Sequence, residues 1–208
     1  MSGPRQLDEL FSFKVILYRD QYHAIRKYSI SKLAKLFSQY AAYHLDHKNI
    51  VTHFVGIPLI VFSIMCLTAR AGMTIGSFEI TLAMVLILAS IVYYLSLDRI
   101  FGVIMLVIYA MAYPLAYKIA QFDLGLWLSL SVGIFVVGWA FQFVGHFYEK
   151  KKPAFMDDVI GLAIGPLFVL AEMVFMLGFR KGIEQRMLDE ARKQRAAMDN
   201  KHVSVTSH

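Results

Sequence analysis

The sequence predicts an all-α integral membrane helical bundle, with about four transmembrane helices and a re-entrant or interfacial C-terminal helix. Three observations lead there. Of 208 residues, 58% are hydrophobic and 17% charged, an apolar share above that of ordinary soluble domains. The apolar residues gather into runs of about twenty, the length that crosses a ~30 Å hydrocarbon core at ~1.5 Å per residue. Most Lys and Arg lie before Asn49 or after Phe179, with a net charge of +6. That distribution suits anionic lipid headgroups and offers no soluble basic face, which argues against nucleic acid as a partner. The lone cysteine, Cys66, sits inside an apolar run and reads as a small buried hydrophobe. The first forty residues show no short apolar core with a small-residue cleavage site, so insertion is expected to use the internal spans.

Residues 1–34 form an N-terminal extension, in which Phe11, Val15, Tyr18 and Tyr22 fall on one side of an expected interfacial helix. Ser31 can cap a second short helix running to His47, whose Leu33, Leu36, Phe37, Tyr40 and His44 follow the spacing of one face. Residues 35–180 are the expected membrane catalytic domain. Its spans run from Ile50 to Ala69, Phe78 to Leu97, Ile100 to Ile119 and Leu126 to Tyr148. A Gly-rich connection, Ala71–Ser77, and a tight polar turn, Asp98-Arg99, join neighbours that short loops make antiparallel. A fifth apolar run, Val159–Phe179, holds Glu172 and is interrupted by Gly165-Pro166. Residues 181–208 form a charged C-terminal tail, expected as a solvated helix fraying by His202.

Charge placement limits how many runs cross. Five crossings would put the basic N-terminal region and the basic tail on opposite sides, against the tendency of Lys and Arg to stay cytoplasmic. Four crossings put both termini in the cytoplasm and leave the fifth run re-entrant or interfacial, as its Gly-Pro pair and embedded carboxylate favour. The same topology gathers His44, His53 and His146 at one membrane face, near the carboxylates Asp46, Glu149 and Glu172.

Ionisable residues in membrane runs are costly and are functional candidates by default. Neutral imidazole is the commonest metal ligand, and histidines with open positions suit Fe(II) or Zn(II). The residues alone leave three readings open: a metal site, a buried polar network and a proton path. There is no HExxH, Gly-rich phosphate loop, nucleophile elbow or CxxC pair. Lys150 belongs to a Lys150–Lys152 run that reads as a topology anchor or as a site for a fatty-acid carboxylate. Gln142, one turn before His146, reads as a hydrogen-bonding neighbour of that histidine, and Gly145 permits close backbone approach.

Two composite motifs carry a resemblance. YxxxHxxxxNxxxHxxGxP is matched by Tyr40, His44, Asn49, His53, Gly56 and Pro58, and WxxQFxGHxxEKKxP by Trp139, Gln142, Phe143, Gly145, His146, Glu149 and Pro153. Over residues 35–180 the chain resembles the Mpo1-like family of membrane 2-hydroxy-fatty-acid dioxygenases. The resemblance implies an Fe(II) (Fe(2+)) cofactor, a 2-hydroxy fatty acid and dioxygen as substrates, and an α-oxidation that shortens the acyl chain by one carbon. It implies His44, His53 and His146 as metal ligands and catalytic residues, with Glu149 and Glu172 completing or orienting the site. Asn49, Gln142 and Lys150 are the substrate candidates. His47 falls at no matched histidine position. A lipid bilayer is the expected surrounding, the endoplasmic reticulum membrane for a eukaryotic source and the inner membrane for a bacterial one. Two rival readings are a metal-free membrane module that binds a lipid or a partner, and a Zn(II)-dependent membrane hydrolase. No feature of the sequence specifies an oligomeric state.

The topology has a direct check. A reporter fused after His208 is expected on the same membrane side as one fused at Met1, and reporters on opposite sides would mean five crossings.

Overall fold

The computed structural model describes residues 31–151 and 160–206, with side chains up to residue 200. The expected interfacial helix in residues 1–30 lies outside the described residues, as does the Glu149–Asp158 connection beyond Lys151. What is described is helical, apart from one hairpin.

Helix α1 spans Lys32–Ala41, shorter than the helix to His47 that the periodicity predicts. The chain turns at Ala42–Asp46 because Asp46 caps the next helix instead. Its carboxylate accepts a 2.7 Å hydrogen bond from the Lys48 amide, which satisfies one of the free donors at a helix start. Helix α2 then runs His47–Ala69. At its end the Arg70 guanidinium reaches across to the carbonyls of Ala120 and Phe122, at 3.2 and 2.8 Å, and lies 4.7 Å from the Trp127 ring centre.

The Gly-rich connection is a β-hairpin, β1 Gly72–Ile75 and β2 Phe78–Thr81, antiparallel with Ile75 opposite Phe78. Gly76 takes the positive φ, +63°, that its two-residue turn needs. Phe78 to Thr81 therefore belong to a strand, and the second apolar helix, α3, begins at Leu82 behind the Thr81 cap and ends at Leu97. Asp98 caps α4, Arg99–Ala120, by accepting from the Ile100 and Phe101 amides at 3.0 Å each. Asp123 caps α5, Leu124–Glu149, in the same way. Among the described residues three helices, α2, α4 and α5, are long and apolar enough to cross a membrane. Helix α3 and the last apolar helix, α6 Ile160–Met176, are shorter.

Helices α2 and α5 pack in close antiparallel contact, and glycine allows it. A Cβ on Gly138 would stand 2.9 Å from the Gly56 carbonyl and 2.8 Å from Ile60. A Cβ on Gly145 would collide with the Thr52 hydroxyl and the Asn49 side chain. Small residues of this kind let apolar helices approach backbone to backbone.

Helix α6 is continuous through Gly165-Pro166, so the pair does not break it as the sequence suggests. Gly161 and Leu162 lie beside Ile60, Ile64 and Phe135, half-way along α2 and α5. The other end of α6 places Phe175 edge-on to Phe101, 6.5 Å between ring centres, next to the α3–α4 turn. Gly178, at φ +86°, and Arg180, at φ +56°, then turn the chain into α7, Lys181–Thr206. The Arg180 guanidinium grips both Asp98 oxygens at 2.8 Å and stacks on Phe101. Helix α7 is not solvated on every side as expected of the tail, because Met187 and Ala191 are buried in the main apolar core.

Burial alone would raise the Asp98 carboxyl, but the Arg180 guanidinium and the Phe101 and Ile100 amides outweigh it and hold it below the usual carboxylate range. A depressed folded-state value means the stabilisation is complete above the ordinary carboxylate pKa and fades as pH falls through the folded value. Asp98→Asn keeps the cap and removes the charge. It is expected to lower the melting temperature at neutral pH, with the gap from wild type closing as pH falls through the depressed folded-state value.

Candidate metal centre

His44 lies in the turn after α1, where its backbone amide donates to the Ala41 carbonyl at 2.9 Å. Its ring stacks on Tyr40, with 4.1 Å between centres and 9° between planes. Its Nδ1 pairs with the Tyr40 carbonyl at 2.7 Å. His53, two turns into α2, pairs its Nδ1 with the Asn49 carbonyl at 2.8 Å. Both carbonyls can only accept, so each Nδ1 carries the proton and each Nε2 presents a lone pair. His146 comes from the last turn of α5.

The three rings converge. Their centres are 4.5 Å (His44–His53), 5.0 Å (His44–His146) and 5.1 Å (His53–His146) apart. One ring nitrogen from each lies within 4.8 Å of the others. All three side chains are buried, at 2%, 3% and 8% exposure. Among the described residues, His44 Nε2, His53 Nε2 and His146 Nδ1 have no hydrogen-bond partner. Unpartnered buried polar atoms are rare, because each forfeits its hydration without return. Three aimed at one point fit a cation, and a trio of neutral imidazoles suits Fe(II) or Zn(II). Burial, then the neighbouring His53, holds His44 well below the ordinary histidine value, so it stays a neutral donor.

Glu149, 2% exposed at its side chain, is outside the converging donor group among the described residues. One carboxylate oxygen accepts from the Asp46 amide at 2.8 Å and the Asn49 side chain at 3.1 Å. The other accepts from the Arg195 guanidinium at 2.8 Å. Asn49, fully buried, thus joins Glu149 to His53 through its own backbone carbonyl. Glu172 is half-buried and borders a small gap with His44, His53 and Phe168. Lys150 is exposed in a left-handed cap on α5, at φ +55°. His47 is exposed and lies outside the group.

A cavity of about 280 Å³ opens from the histidines. Along α2 it is bordered in turn by His53, Ile57, Ile60 and Ile64, and along α5 by His146, Gln142, Trp139 and Phe135. Twelve residues of each helix, eleven rises of ~1.5 Å, make it about 16 Å deep. Gln142 is 6% exposed and its Nε2 is unpartnered, so it brings a free amide to the upper, polar end. Sequence spacing finds the histidines and Gln142. It misses the Tyr40 carbonyl, which the i, i+4 relation to His44 does signal, and Arg195, for which the sequence holds no signal.

The model of the family described as "2-hydroxy-palmitic acid dioxygenase Mpo1-like" matches residues 30–177. The chain belongs to the Mpo1-like family. It is similar to the 2-hydroxy-palmitic acid dioxygenase MPO1 of Saccharomyces cerevisiae, 34% identical over 145 residues that make up 67% of this chain and 78% of the yeast protein. No solved structure gives a significant match. All three converging histidines, with Gln142 and Glu149, fall within the stretch that the family model matches.

Gly145 tests whether the close approach of α2 and α5 builds the centre. Gly145→Ala is expected to destabilise the protein by about 1–3 kcal/mol through overpacking and to reduce bound metal, read by thermal melting and metal analysis of the same sample.

Proposed function

We propose that this protein is a membrane 2-hydroxy-fatty-acid dioxygenase that uses Fe(II) held by His44, His53 and His146 to convert its substrate to the acid one carbon shorter. The observation that carries this reading is the set of three buried, unpartnered ring nitrogens converging on one point. Three such atoms side by side favour a cation over a metal-free polar network. The donors alone suit zinc as well as iron. The relationship to the yeast 2-hydroxy-palmitic acid dioxygenase favours iron, since ground-state dioxygen needs a redox-active centre, and Fe(II) supplies one when bound.

The chain's own residues do the rest. The Tyr40 and Asn49 carbonyls hold two imidazoles in the tautomer that presents Nε2, so no proton has to leave before a metal is bound. The Gln142 side chain borders the cavity and its Nε2 has no partner among the described residues, so it would donate to the carboxylate or hydroxyl of the substrate. Asn49 and Glu149 act behind the histidines, the Asn49 amide nitrogen donating to the Glu149 carboxylate and the Asn49 carbonyl holding His53. Below Gln142 the cavity wall is Ile57, Ile60, Ile64 and Phe135, apolar side chains that exclude water and favour an acyl chain by burial. Helices α2, α4 and α5 crossing the bilayer would bring such a chain to the site from the lipid itself.

Protein purified in detergent is expected to carry about one iron per chain. Supplied with 2-hydroxypalmitic acid, it is expected to form pentadecanoic acid only after oxygen is admitted. A chelator should stop product formation and added Fe(II) should restore it. His44→Ala, His53→Ala and His146→Ala should each lose both metal and turnover. Full turnover in all three variants would sink the assignment, and zinc in place of iron would point to the hydrolase.

A further inference from the structure

The geometry points to Arg195 as a positioning residue whose forked guanidinium, reaching in from α7, holds the segments bearing all three histidines in register for metal binding. It rests on the metal reading above and concerns a residue beyond the 30–177 stretch matched by the family model.

Each contact leads to a histidine. Arg195 Nη1 donates to the Ala42 carbonyl at 2.6 Å, two residues before His44. Arg195 Nη2 donates to Glu149 Oε1 at 2.8 Å and to the Glu149 carbonyl at 3.4 Å, three residues after His146. The second Glu149 oxygen takes the Asp46 amide and the Asn49 side chain, and the Asn49 carbonyl in turn takes His53 Nδ1. One planar cation therefore ties the turn after α1, the start of α2 and the end of α5. The Arg195 and Glu149 side chains are 17% and 2% exposed, so the pair is largely shielded from water and salt. A guanidinium presents two parallel donors in a fixed fork, which a lysine ammonium does not. Asp199, 3.9 Å from Nε, steadies the stem from the next turn of α7.

Helix α7 also touches α1 through Gln194, which donates to the Ser38 hydroxyl at 3.3 Å. That contact anchors the same helix without reaching a histidine-bearing segment, and it provides the control.

Metal-stripped full-length protein in detergent, titrated anaerobically with Co(II), gives affinity and the visible absorption of the bound ion together. Arg195→Ala is expected to weaken Co(II) binding about 10- to 100-fold and to shift the absorption. Arg195→Lys should recover part of the affinity, and Gln194→Ala should match wild type. Wild-type affinity and spectrum in Arg195→Ala would overturn the assignment, as would an equal loss in Gln194→Ala. Should Arg195→Ala not fold, Arg195→Lys carries the test, and an affinity equal to wild type overturns the role of the fork. A wild-type protein that takes up no Co(II) overturns the metal reading itself. Wild-type uptake with unaffected Arg195 variants overturns only the role of Arg195.

Discussion

The close packing of α2 on α5 governs the rest of the structure. His53 and His146 sit on different helices, ninety-odd positions apart in sequence, and their ring centres come to 5.1 Å only because the two backbones nearly touch. Gly56, Gly138 and Gly145 mark that contact, each at a place where a side chain would strike the facing helix. Apolar helices gain nothing from burying leucine against leucine when lipid is the alternative, so contact of this kind must come from shape and from polar bonds. Here the polar bonds lie at one end, where Glu149, Asn49 and Asp46 join α5 to α2.

Around that pair the remaining elements close the site from above and from the side. The turn after α1 lowers His44 onto the two helical histidines, with Tyr40 stacked behind it. Helix α6 supplies Phe168, packed 4.8 Å from the Tyr40 ring centre, and Gly165, whose bareness admits the Tyr40 hydroxyl at 3.1 Å from where a Cβ would be. The ends of α6 are unlike: one lies beside Ile64 and Phe135 in the middle of the bundle, the other beside Phe101 at the α3–α4 turn. Helix α7 starts at that turn, where Arg180 meets Asp98, and further along it reaches the end of α5, where Arg195 meets Glu149.

Much of this is legible in the sequence because the signals are local. Asp46, Asp98 and Asp123 each precede an apolar run and each caps a helix. His44 and His53 announce themselves by their spacing within a polar doorway, and His146 by Gln142 one turn earlier. The hairpin is less legible, since Phe78–Thr81 runs without a break into the apolar helix it precedes and only the Gly76-Ser77 turn marks a strand. The end of α1 is misread because the periodicity of Leu33 to His44 continues past the point where the Asp46 cap takes over. Pro166 looks like a break, yet neighbouring helices hold α6 together through it. Arg195 is invisible, because a basic residue in a charged tail reads as solvated until its partner, more than forty positions away, is located.

The bonding of Glu149 has an electrostatic consequence. A carboxylate among the donors would cancel part of the charge of a divalent cation. In this protein the nearby carboxylate is matched by Arg195 and faces Asn49 and Asp46 instead. A cation held by three neutral imidazoles would keep its charge whole at the mouth of a cavity lined mainly by apolar side chains. In so poorly screening a place, that charge would itself be a means of selection, favouring an amphiphile with an anionic head over neutral lipids.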